Sequence, residues 1–242
     1  WRTMQPSDTV LLQEGLEYLG IEDPKQELQT LLTCYIGELE IFNAAFNLVK
    51  VQNTRELIIK HILDSLAPWK VLEELIADYQ DKAACTVADI GSGAGLPGIP
   101  LACLFLVKRP TVQFTLIERM HKRCTFLENI QAMLALSNTT VLEKELEKVP
   151  AACFDIAVFR AFRPLDCSMF TALQERIKPN GILAAYKGKR SAIEEEMQAL
   201  RNTALAYRII PVHTPFYEAE RNLVIISKDT AGISSNTVIR QI

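Results

Sequence analysis

Several common features are scarce in this chain, and each scarcity removes a class of protein. It has 242 residues but only three histidines. Its six cysteines (34, 85, 103, 124, 153 and 167) form no Cys-x-x-Cys pair. Zinc spacings and a disulfide framework are therefore not expected, nor is any metal site; buried free thiols in a reducing cytoplasm fit better. Long apolar runs are missing as well. The strongest, Ile99 to Val107, is too short to cross a bilayer and contains Pro100. No membrane association is expected, and the first residues carry no signal-peptide pattern, so the expected location is cytoplasmic. Trp1-Arg2-Thr3 precede Met4 and take no part in the fold reading. Positive charge is not in excess: the net charge is −3 and the pI about 5.8. Proteins that coat nucleic acid usually have a pI above about 9. A nucleic-acid enzyme with a local basic patch remains open. Internal repeats, low-complexity segments and coiled-coil patterns are absent, and a monomer is expected.

What is present changes texture near Cys85. Residues 5–80 read as helical. Asp23-Pro24-Lys25-Gln26 has the form of a helix start, followed by Leu28, Leu31, Leu32, Tyr35, Ile36, Leu39, Phe42 and Phe46 at helical spacing. A second start falls at Asn53, with Glu56 three residues on. Beyond Cys85, candidate strands at 85–90, 112–118, 139–144, 154–161 and 181–188 alternate with candidate helices near 98–107, 122–136, 166–178 and 190–205. Two further strands, 206–215 and 221–228, have no helix between them and predict an antiparallel edge hairpin, with 209–215 as a loop in the alternative. The pattern predicts an α/β doubly wound, Rossmann-like, mostly parallel sheet. The expected organisation is a helical extension (4–80), a catalytic domain (81–230) and a C-terminal tail (231–242).

Glycine totals ten residues, yet four fall at 91, 93, 95 and 98, directly after the first strand. In an open α/β sheet that position is where ligands bind. The spacing satisfies two patterns. Gly93, Gly95 and Gly98 match the dinucleotide G-x-G-x-x-G. Asp89 with Gly91, Gly93 and Gly95 matches the D-x-G-x-G-x-G of S-adenosylmethionine enzymes. Glu118, at the end of the second strand, suits ribose hydroxyls in either case. Asp89 favours the second pattern, because a carboxylate suits the cationic end of a methionine-type cofactor and repels a pyrophosphate. The edge hairpin also favours a methyltransferase over a dehydrogenase.

"DIGSGAGLPGIPLA" (89–102) resembles motif I of the small-subunit ribosomal RNA methyltransferase G family, also called glucose-inhibited division protein B. "NAAFNLVKV" (43–51), "HILDSL" (61–66), "LIERMHKRCTFLENI" (116–130), "FRAFRPL" (159–165) and "YKG" (186–188) resemble later and earlier blocks of that family, in order. The resemblance runs from about residue 28 to 228. It implies a Rossmann-like S-adenosylmethionine-dependent fold and methylation of guanine N7 at one site in small-subunit ribosomal RNA, with that RNA or the assembling subunit as partner. It also implies cofactor contacts at Gly91, Leu96, Leu146, Glu147 and Arg160. Phe159 and Tyr186 stand where the family more often has a smaller or aliphatic residue. Glu118 stands where a shorter Asp is also seen.

The residues suit that chemistry. Methyl transfer from a sulfonium mainly needs alignment, and orientation alone supplies roughly 7–11 kcal/mol. Guanine N7 has a lone pair and no proton to lose, so no general base is required. The Asn/Asp-Pro-Pro-aromatic motif of exocyclic-amine enzymes is missing after the fourth strand, as is a Pro-Cys nucleophile. Arg160 is expected to orient guanine O6 or a phosphate through its planar fork, a surface salt bridge being the plainer alternative. Phe162 either stacks on a flipped base or packs in the core. Arg163, Lys122, Arg123, Lys187, Lys189 and Arg190 are candidate RNA contacts, or simply solvated cations. His61 and Asp64, one turn apart, are expected to pack the extension onto the core. A small-molecule or protein methyltransferase, a nicotinamide-dependent oxidoreductase and a non-enzymatic cofactor sensor are the rival readings.

Overall fold

In this computed structural model the structure describes residues 4–79, 84–160, 165–200 and 206–227, with the backbone of 240–241. The helical part comprises α1 (Pro6–Tyr18), α2 (Glu27–Phe46), α3 (Thr54–Leu57), a π-helical segment (Ile58–Leu63), α4 (Asp64–Leu66) and α5 (Trp69–Ala77). The start at Asn53 forms as the capping pattern requires: its side chain accepts from Glu56 N at 2.8 Å, and the Glu56 carboxylate reaches back to Gln52 N at 2.6 Å. The expected start at Asp23 shifts. Asp23 to Gln26 make a turn, and Gln26 is left-handed at φ 55°. Helix α2 begins at Glu27, while the Asp23 carboxylate still accepts from Gln29 N at 2.8 Å.

The alternating part runs β1 (Thr86–Ile90), α6 (Gly98–Lys108), β2 (Gln113–Glu118), α7 (His121–Met133), β3 (Thr139–Glu143), β4 (Phe154–Arg160), α8 (Cys167–Arg176), β5 (Ile177–Lys187), α9 (Arg190–Ala199), β6 (Ala206–Val212), β7 (Arg221–Ser227) and β8 (Arg240–Gln241). A 3-10 turn, Leu146–Lys148, follows β3. Pro100 is harmless to α6 because it lies in the first turn, where N–H groups have no helical partner. The strand order is β3-β2-β1-β4-β5-β7-β6-β8. Strands β1 to β5 pair in parallel, and β7 and β6 add antiparallel. The chain leaves β1 in one direction and returns to β4 in the other, so the switch point lies at the end of β1.

The stretch 209–215 is strand as far as Val212, with Pro211 opposite Asn222. Among the described residues β8 pairs with Ala206 and Tyr207 and not with Pro211, where a proline's missing N–H would be felt.

Period-two alternation sends strand residues to opposite faces. Val87, Ile156, Val158, Ile182, Ala184 and Tyr186 join one core, shared with α1, α2, α5 and α6. Ala88, Ile90, Ala157, Phe159, Leu183 and Ala185 join the other, shared with α8 and α9. By the same parity Asp89 and Arg160 lie on the face that the N-terminal helices cover. Among the described residues no helix is long and apolar enough to cross a membrane.

Candidate active site

The glycine loop is fastened from three sides. Gly91 N and Ser92 N donate to the Ile117 carbonyl at 2.9 and 3.0 Å. Gly93 N donates to Glu118 Oε2 at 3.0 Å. From the helical extension, Tyr35 Oη donates to the Ala94 carbonyl at 2.6 Å. Beneath the loop Asp89 has no exposure at all. Its Oδ2 accepts from Gly98 N at 3.0 Å, and its Oδ1 is buried without a partner. Burial pushes this carboxyl up to about 7, while the bond from Gly98 N and the nearby Ser92 hydroxyl, which donates to the Asp89 backbone carbonyl at 3.0 Å, act in the opposite direction.

This arrangement separates the two glycine patterns. A Cβ on Gly98 would lie 2.4 Å from Leu116 and 2.5 Å from Asp89 Oδ2. Gly98 therefore permits close packing on Asp89. The N-terminus of α6, where a dinucleotide fold seats a pyrophosphate, already holds a protein carboxylate.

Above the loop a cavity of about 520 Å³ is lined by Gly91, Glu118, Leu146 and Glu147, together with Arg119, Arg123, Lys144 and Met169. Five of the residues singled out in the sequence, Gly91, Glu118, Arg123, Leu146 and Glu147, thus meet at one cavity. Gly93, Gly95, Leu96 and Asp89 belong to the loop and its support rather than to the wall. Glu118 is only 5% exposed. Its Oε1 accepts from Arg119 N at 2.8 Å and Met120 N at 2.9 Å, and Arg123 Nη1 lies 3.5 Å from Oε2. Across the cavity Arg176 fixes the 146–147 turn. Its Nε donates to the Leu146 carbonyl at 3.0 Å and its Nη2 to the Glu147 carbonyl at 2.6 Å.

A second cavity, about 400 Å³, is lined by His61, Asp64, Arg160, Tyr186, Lys187 and Arg221, among others. The π-helical segment bears on it directly. Arg160 Nη1 lies 3.4 Å from the Lys60 and His61 carbonyls, and π turns often mark functional positions. The same nitrogen donates to Asp64 Oδ2 at 3.2 Å. Nη2 donates to His61 Nδ1 at 3.0 Å. Asp64 Oδ1 also accepts from Thr214 Oγ1 at 3.0 Å and Arg221 Nε at 2.9 Å. His61 and Asp64 do join the extension to the sheet, and they do so through Arg160. Tyr186 adds a bond to the Ser65 carbonyl at 2.8 Å.

Burial, then the adjacent Arg160, pushes the His61 imidazole from 6.5 down to about 4. The guanidinium only donates, so the ring proton is assigned to Nε2. The sign of the linkage is fixed. Between about 4 and 6.5 the unfolded chain binds a proton that the folded chain refuses, so stability falls as pH drops through that window. Denaturant unfolding of wild type and His61→Gln at about pH 7.5 and about pH 5 tests this. The stability advantage of wild type should shrink at the lower pH; an unchanged difference would contradict it. Asp89 titrates with the opposite sign but is common to both proteins.

The candidate RNA residues are dispersed. Lys122 is exposed, with Nζ 6.0 Å from the Phe46 ring centroid. Lys187 Nζ pairs with Glu196 at 2.8 Å, and Arg190 Nε with Glu194 at 3.1 Å. Lys189 is exposed. Phe162 and Arg163 lie outside the described residues. Sequence reasoning missed Tyr35, Arg176, Thr214 and Arg221. Tyr35 reads as one more core position of α2, and an arginine in the last turn of α8 reads as a solvated cation. Among the described residues no group of three or more His, Cys, Asp or Glu is placed to hold a metal ion.

The family model described as rRNA small subunit methyltransferase G matches residues 28–224. A Treponema denticola protein named ribosomal RNA small subunit methyltransferase G is 42% identical over 238 residues, covering 90% of this chain and 94% of its own. Its namesake from Treponema pallidum is 39% identical, covering 94% and 97%. Among solved structures, a SAM-dependent methyltransferase from Aquifex aeolicus superimposes with a TM-score of 0.53 at 18% identity. It covers 79% of this chain and 97% of its own, a likeness of fold.

Proposed function

We propose, for a chain that belongs to the rRNA small subunit methyltransferase G family, that it transfers a methyl group from S-adenosylmethionine to N7 of a guanine in small-subunit ribosomal RNA. The observation that carries the cofactor assignment is the Asp89–Gly98 bond beneath a cavity walled by Gly91, Glu118 and the 146–147 turn. A cavity of about 520 Å³ falls within the usual range for small-ligand sites. Glu118 would take the ribose hydroxyls on its remaining lone pairs, and Leu146 would border the adenine. When bound, S-adenosylmethionine supplies a methyl on a sulfonium, already activated for in-line displacement.

The chain's own task is alignment. Glu118 and the glycine loop fix the donor side. Arg160, held by His61 and Asp64, stands at the second cavity to orient the guanine or a phosphate beside it. No group is asked to remove a proton, which suits a neutral His61 whose Nδ1 is already bonded. N7 is buried in the deep groove of an A-form helix, so the target guanine is unpaired or flipped. The substrate is a folded RNA or the assembling subunit, acted on by a monomer in the cytoplasm. The helical residues 4–80 serve as a clamp on the 81–230 methyltransferase domain.

The dinucleotide alternative loses its basis at Gly98, which faces a carboxylate. Calorimetry with S-adenosylhomocysteine and with NAD tests this. The thioether is expected to bind at least about 100-fold more tightly; equal affinity, or tighter NAD, would overturn the cofactor assignment.

A further inference from the structure

One sequence block has no part in the function so far: "NAAFNLVKV" (43–51). In the structure it forms a firm end to α2. Asn47 is left-handed at φ 54° and its N donates to the Asn43 carbonyl at 3.0 Å. The Asn43 side chain accepts from Val49 N at 2.8 Å. The turn holds Phe46 at the surface, 51% exposed. Behind it the rings continue inward. Phe42 stacks on Phe46 with centroids 6.0 Å apart and planes 30° apart. Phe42 in turn lies 4.9 Å from Phe126, which is fully buried. Three aromatic rings thus run from the core to solvent, and the outermost, half exposed, has the Lys122 ammonium 6.0 Å from its centroid.

The position is informative. Lys122, beside the Phe46 ring, opens α7 next to Arg119, Arg123 and Glu118 on the wall of the larger cavity. Four residues beyond Phe46, the Lys50 backbone lies close enough to His61, on the wall of the second cavity, to favour its protonated form slightly. Phe46 therefore lies beside the first turn of α7, whose Arg123 lines the larger cavity, and Lys50, Arg119 and Lys122, close to these positions in sequence, are exposed cations. A flat π surface with adjacent positive charge is the combination that binds single-stranded nucleic acid. We propose that Phe46 is a stacking platform for an unpaired base of the RNA next to the target guanine, with Lys122 placed for that nucleotide's phosphate. This rests on the RNA-methyltransferase reading.

The test compares wild type, Phe46→Ala and Phe46→Trp in methylation of small-subunit RNA from cells lacking the modification, naked and as the assembled subunit. The alanine variant is expected to raise the KM for naked RNA about tenfold, the scale of one stacked base. Its affinity for S-adenosylhomocysteine should stay within about twofold of wild type. The tryptophan variant should restore the KM, and its fluorescence should be quenched when the RNA binds. An unchanged KM in an active enzyme overturns the platform and leaves the function standing. A KM that rises only with the assembled subunit assigns Phe46 to a protein contact and also overturns it. No methyl transfer by wild type to either substrate removes the function reading and the platform together.

Discussion

Glu118→Ala is expected to lower affinity for S-adenosylhomocysteine by at least about 100-fold. The carboxylate accepts from Gly93 N, Arg119 N and Met120 N at 2.8–3.0 Å, and is nearly buried. Hydrogen bonds to a charged group contribute roughly 1.5–3 kcal/mol each. They are not additive here, because water can enter once the side chain is gone. A net loss of about 3 kcal/mol corresponds to about 100-fold in binding. Two sources add to it: the ribose would lose its proposed acceptor, and Gly93 loses the anchor that shapes the loop. Glu118→Gln keeps one acceptor oxygen and the side-chain volume, and should lose about tenfold. Isothermal calorimetry reads both. Affinity within about threefold of wild type for the alanine variant would show that the loop holds its shape without Glu118.

The second large effect is on stability. Asp64 is 4% exposed and serves two arginines and Thr214. Removing one partner of a buried ion pair costs about 3–5 kcal/mol, because the remaining charge is left unmatched. Arg221 keeps some access to water, its side chain being 29% exposed, so Asp64→Ala should lose about 3 kcal/mol. For a chain of this size that is roughly 6–12 °C in Tm. Methyl transfer should fall with it, since Arg160 loses one of the groups that hold its fork. Asp64→Asn retains the shape and an acceptor and should lose about half as much. Urea unfolding gives the value; a loss below about 1 kcal/mol for Asp64→Ala would mean that solvent already screens both guanidiniums.

The alternation of strands and helices was legible because it depends on local periodicity. Each strand from Thr86 to Ser227 forms within a few residues of its predicted place. The lining of the larger cavity was partly legible too. Gly91 and Glu118 announce themselves by type and spacing, whereas Leu146 and Glu147 were reached only through the family resemblance. What supports those residues was not legible. Nothing in "TRELIIKHILDSL" separates a π turn from an ordinary helix, because both carry the same apolar face. Arg160 could be placed at a strand end, and strand parity directs it toward the extension. That it meets Asp64, 96 residues earlier in the chain, is a fact of tertiary packing. Arg176 and Tyr35 also reach distant parts of the chain, 30 and 59 residues away, through backbone carbonyls, and a carbonyl has no sequence signature.

The central claim is that this chain methylates a ring nitrogen of guanine in small-subunit ribosomal RNA. The direct measurement is to incubate the protein with labelled S-adenosylmethionine and small-subunit RNA from cells lacking the modification, digest the RNA, and identify the labelled nucleoside. The account predicts 7-methylguanosine, and only that nucleoside. Label in a ribose, a pyrimidine carbon or an exocyclic amine would contradict it.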